Sequence, residues 1–67
     1  MFVKFSVLGG AGEVIEFINV SQAERITKVS AENSPDVVYG FNFGGVLVQF
    51  RPASNVTILH HLGLVLT

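Results

Sequence analysis

Sixty-seven residues, 49% apolar and 13% charged with a formal net charge of −1, make one domain (residues 1–67) that is too short to hide its apolar content alone and has no overall basic field. With no cysteine, neither disulfides nor a thiolate metal site can brace it. Association between copies is the brace that remains, and homo-oligomers are the common way to cover such surface.

Phe2 to Leu8 alternates, with Val3, Phe5 and Val7 on one face and Phe2, Lys4, Ser6 and Leu8 on the other, which predicts a strand. Lys4 and Ser6 also interrupt what would have to be a pure apolar run in a signal peptide, and Leu62 to Leu66 is too short to span a bilayer. The expectation is a cytoplasmic protein without membrane contact, whose sequons at Asn19 and Asn55 carry no glycan. Gly9-Gly10-Ala11-Gly12 reverses the chain; no third fingerprint glycine, helix or βαβ unit makes it a phosphate loop.

Glu13 to Asn19 is a second predicted strand. Ser21 followed by Glu24 reads as a capping box around a single helical turn, making a corner at residues 20–24. Arg25 to Ala31 resumes extended, and 32–36 has loop composition. Val37 to Phe43 and Val46 to Arg51 are strands joined by a Gly44-Gly45 hairpin turn, with Gly40 marking a bulge or a close backbone approach. Pro52 ends the ladder, and Asn55 to Leu62 restarts as a last strand. Residues 17–27 and 50–57 share a pattern of phenylalanine, polar break and β-branched restart, read as similar corners. The fold class is all-β: a small SH3-like open barrel of five or six strongly bent antiparallel strands.

No residue grouping suits catalysis or a metal, and no cofactor is expected. On a strand, His60 and His61 point to opposite faces and cannot share an ion within one subunit. Acids and histidines lie scattered, without a nucleophile elbow or paired carboxylates. Single-stranded nucleic-acid binders combine cations with aromatic platforms. The cations here are Lys4, Arg25, Lys28 and Arg51, and a ring of copies multiplies each. Phe41, Phe43 and Phe50 read as core. Tyr39, Asn42, Arg51, Asn55 and His60 lie near turns, where pores and rims of oligomers form.

The order of strand, glycine turn, long bent strand, hairpin, short break and last strand resembles the Sm-like (LSm) family. Gln49-Phe50-Arg51-Pro52-Ala53-Ser54-Asn55-Val56-Thr57-Ile58 is similar to that family's second signature, with Pro52-Ala53-Ser54 in place of its glycine. Gly12 and Phe17 fit the first signature, Asn19 stands near its acidic position, and the family's N-terminal helix has no counterpart. The resemblance implies a homo-oligomeric ring built by edge-strand pairing that binds single-stranded RNA, with Arg51, Asn55 and Asn19 as carried-over contacts. A non-catalytic RNA or single-stranded nucleic-acid binder is therefore expected. The rivals are a structural or protein-interaction oligomer and a DNA-associated regulatory module.

Overall fold

In the computed structural model, which describes residues 1–29 and 37–64, the N-terminal alternation becomes a long antiparallel hairpin. β1 (Phe2–Gly9) and β2 (Gly12–Asn19) pair throughout, from Phe2↔Asn19 to Gly9↔Gly12. Val3, Phe5 and Val7 of β1 are buried, while Phe2 and Lys4 stand on the opposite, exposed face with their neighbours across the ladder, Ile15 and Phe17.

β3 (Arg25–Val29), β4 (Val38–Phe43) and β5 (Val46–Phe50) form a meander. Gly44 and Gly45, at φ +53° and +93°, make the β4–β5 turn in the doubly left-handed type I′ form that glycine favours. The sheet order is β2-β1-β5-β4-β3, antiparallel throughout, so the expected all-β architecture is present, with five strands among the described residues. The sheet is barrel-like but not closed, with β2 and β3 at its two ends. The loop expected at 32–36 lies outside the described residues.

An aromatic cluster fills the core. Phe5 meets Phe41 edge-on at 5.1 Å and Phe50 at 5.5 Å, while Phe41 stacks on Phe50 at 4.9 Å. Such pairs add about 0.5–1.5 kcal/mol each beyond the area they bury. Gly40 is no bulge, because the β4–β5 register runs unbroken from Tyr39↔Phe50 to Phe43↔Val46. It is a close approach: a Cβ there would lie 2.5 Å from Leu47 Cδ1.

The corner after β2 is a 3₁₀ turn over Val20–Gln22, and the capping box does not form. The turn closes after one round, with Ala23 N–H donating to the Val20 carbonyl at 3.2 Å, so Ser21 has no helix to cap. Asn19 caps it instead, its Oδ1 accepting from Ser21 N–H at 3.3 Å. Glu24 reaches away to the hairpin turn, where its Oε1 accepts from Gly44 N–H at 3.0 Å.

The main departure is at the C-terminal end. Asn55 to Leu62 is not a strand: Pro52–Asn55 is a second 3₁₀ turn and α1 (Val56–His61) follows it. Val56, Thr57 and Ile58 favour strand by type, but Ile58, Leu59 and Leu62 are spaced to share one helical face, and all three pack into the core. Gly63 ends the helix at φ +74°. Its N–H donates to the His60 carbonyl at 3.1 Å, and Leu64 N–H donates to the Leu59 carbonyl at 2.9 Å. That is the Schellman pattern, with Leu64 and Leu59 packed on the same core. Both predicted corners are thus 3₁₀ turns, but only the first leads back into the sheet. No helix among the described residues is long and apolar enough to cross a membrane.

Replacing Gly63 by alanine forces a side chain into the left-handed region, so Gly63→Ala is expected to lose about 1 kcal/mol in urea unfolding. Gly10→Ala, where a Cβ meets nothing within 4 Å, should stay within about 0.5 kcal/mol of the parent.

Candidate functional site

β5 ends at Phe50, just before the turn that Pro52 opens, and meets β1 at one register position, Val7↔Phe50. Ser6, next to Val7 on β1, is left without a strand on its β5 side, and the Asn55 side chain takes the strand's place. Asn55 Oδ1 accepts from Ser6 N–H at 2.8 Å, and Nδ2 donates to the Ser6 carbonyl at 2.9 Å and the Arg51 carbonyl at 2.8 Å. Both amide hydrogens are used and the residue is 5% exposed. A carboxamide carries one acceptor and two donors, which is why asparagine suits a position that must mimic a backbone and also hold a turn.

Arg51 lies beside this clamp and is joined to the first hairpin by an ion pair, its guanidinium 2.9 Å from Glu13 Oε1. Ser6 Oγ donates to Glu13 Oε2 at 2.6 Å. Hydrogen bonds from Ser6, then Ser54, then Arg51 hold the Glu13 carboxyl down at about 2 against an ordinary 4.5. The structure therefore brings Arg51 and Asn55 together, as a brace tying β1 and β2 to the second 3₁₀ turn.

The other expected contacts are dispersed. Tyr39 is 6% exposed and stacked on Phe50 at 6.3 Å, so its ring is core and offers no face to a base. Asn19 is occupied at the first corner. Asn42 donates to Thr27 Oγ1 at 2.6 Å and holds β3 to β4. His60 is exposed on α1, next to His61. Among the described residues no group of three His, Asp or Glu is placed to hold a metal.

The residues that sequence reasoning passed over lie on the outer face of the first hairpin. Phe2 and Phe17 are 72% and 70% exposed, and Ile15 is 56% exposed. Lys4 neighbours both phenylalanines, two positions from Phe2 on the same face and directly opposite Phe17. A cleft of about 650 Å³ runs from this face to α1, lined by Lys4, Ile15, Ser54, Thr57, His60 and His61 among others. Of the expected contacts, His60 is the one that reaches this surface without being committed elsewhere in the fold. The signal was present in the parity of the strand. Lys4 and Ser6 mark their face as the wet one, and Phe2 shares it.

No protein-family model, curated protein or solved structure matches the chain.

Removing the clamp strands the Ser6 amide and carbonyl, so Asn55→Ala is expected to cost about 1–3 kcal/mol in urea unfolding. Glu13 binds its proton more weakly when folded than when unfolded. Its stabilising contribution is therefore complete above pH 4.5 and fades as the pH falls toward about 2. Unfolding measured across that range should show a slope in the parent protein that is shallower in Glu13→Gln.

Proposed function

We propose that the chain is a non-catalytic binding module that works as a homo-oligomer. In this reading it takes single-stranded nucleic acid on the outer face of the β1–β2 hairpin, not at the Arg51–Asn55 turn. The observation that carries the proposal is Lys4 beside two phenylalanines that are each about seven-tenths exposed. An exposed aromatic ring offers a base a stacking surface that tolerates any sequence, and an adjacent ammonium meets the phosphate. Across the cleft, His60 and His61 with the hydroxyl of Thr57 supply further donors. One lysine on this face of each chain is few, and copies side by side increase it.

Kinship with the Sm-like family belongs to the same proposal. A barrel-like, open, five-stranded antiparallel sheet supports it, and a cytoplasmic setting, where such a module would meet RNA, is part of the same proposal. The two residues that best match the family motif, Arg51 and Asn55, are engaged within the fold, which moves the site to the hairpin face. A protein-interaction oligomer without nucleic acid is the second reading. It is favoured by the aliphatic neighbours Ile15 and Val56, which are 56% and 62% exposed and border the same face.

Fluorescence anisotropy with labelled oligo(U) and with duplex DNA, over a series of salt concentrations, separates the two. Binding to the single strand is expected, weakened by about 1–3 kcal/mol in Phe17→Ala. In Lys4→Ala the salt slope should fall by about 1. Absence of binding to every oligonucleotide at low salt would leave the protein-interaction reading.

A further inference from the structure

We infer that two copies of the chain join edge to edge through β2, antiparallel about a twofold axis at Ile15, to make one continuous sheet. The direction of every polar group on β2 follows from the clamp. Ser6 gives its N–H and its carbonyl to the Asn55 amide, so both point away from β2. Residues directly opposite in an antiparallel pair either bond to each other or both turn away. Ile15 stands opposite Ser6, so its N–H and carbonyl face the free side of β2. By the two-residue period, so do those of Glu13 and Phe17.

β2 is the terminal strand in the sheet order, and no described residue pairs with its free side. Its first six residues, Gly12 to Phe17, are all exposed. Natural edge strands are usually protected by lysine, proline, a bulge or a very short length. This edge is eight residues long, carries neither lysine nor proline, and keeps an unbroken register with β1. Of its two carboxylates, Glu13 is turned to Ser6 and Arg51.

The register follows from charge. Hydrogen bonds are offered at Glu13, Ile15 and Phe17, so a twofold axis near the middle of the strand passes through Ile15 or through Glu16. An axis at Glu16 sets two carboxylates directly opposite, which is unfavourable. An axis at Ile15 sets Ile15 against the partner's Ile15, Glu13 against the partner's Phe17, and Val14 against the partner's Glu16. No like charges meet. The pairing also draws exposed Ile15 and Phe17 of both copies together on one face and brings Val14, 46% exposed, under cover on the other. A twofold contact closes at two copies, whereas a ring needs β2 to meet a different edge. The inference stands on backbone direction and holds whether or not the hairpin face takes nucleic acid.

Proline at position 15 removes an N–H that the isolated chain does not use, so Ile15→Pro should keep the β1–β2 ladder and block the partner. Sedimentation equilibrium of the whole chain is expected to give twice 7.2 kDa for the parent and 7.2 kDa for Ile15→Pro, with far-UV circular dichroism unchanged. In the parent protein, amide exchange at Ile15 and Phe17 should slow as concentration rises through the association. A parent mass of 7.2 kDa at every concentration overturns the inference, as does a mass beyond twice that value. A dimer whose Ile15 and Phe17 amides exchange at concentration-independent rates overturns it too. If Ile15→Pro does not fold, the mass and exchange of the parent protein decide alone.

Discussion

The structure depends on one side chain finishing what a strand cannot. A barrel-like sheet must join its first hairpin to its meander, and here that seam is the β1–β5 contact, a single register position long. There Pro52, whose fixed φ suits the first position of a helical turn, opens the 3₁₀ turn and the chain leaves the sheet. Asn55 supplies the missing acceptor and donor to Ser6 while holding the turn through the Arg51 carbonyl. Glu13 and Arg51 brace the same seam from the first hairpin. From this seam follow the placing of α1 over the core and the outward direction of the β2 edge.

The apolar surplus in the composition has a location in the structure. The core consumes Phe5, Phe41, Phe50, Tyr39 and the aliphatic residues around them. The surplus is most concentrated on the first hairpin, where Phe2, Val14, Ile15 and Phe17 are all exposed. A short sheet has one inner face, and Phe2, Ile15 and Phe17 fall on the other by parity alone. The hairpin is therefore the surface on which both proposals converge, one using its side chains and the other its backbone edge.

Strands of period two and glycine turns were legible, since Val3/Phe5/Val7 and Gly44-Gly45 follow rules that act over a few residues. The C-terminal helix was not, because Val56-Thr57-Ile58 favours a strand by residue type. The opposing signals, a core-facing triplet at helical spacing and Gly63 at the C′ position, are weaker when met singly. The surroundings of the candidate site residues are illegible for a different reason. Asn55 and Arg51 stand together in the sequence, but it cannot show that one is buried in a seam and the other ion-paired across it. Tyr39 sat near a turn, yet its inward parity with Phe41 already placed it in the core. Ser21 and Glu24 had the spacing of a cap, and the tertiary partner Gly44 outcompeted it.

The central claim is that the Asn55 carboxamide stands in for a strand beside Ser6, and amide hydrogen exchange reads it directly. Ser6 N–H has no strand partner on the Asn55 side, so only the clamp can protect it. The account predicts that Ser6 is protected in the parent protein to a degree comparable with its neighbours Phe5 and Val7, and that Asn55→Ala loses protection at Ser6 selectively. A Ser6 amide that exchanges in the parent protein as fast as an exposed one would contradict it.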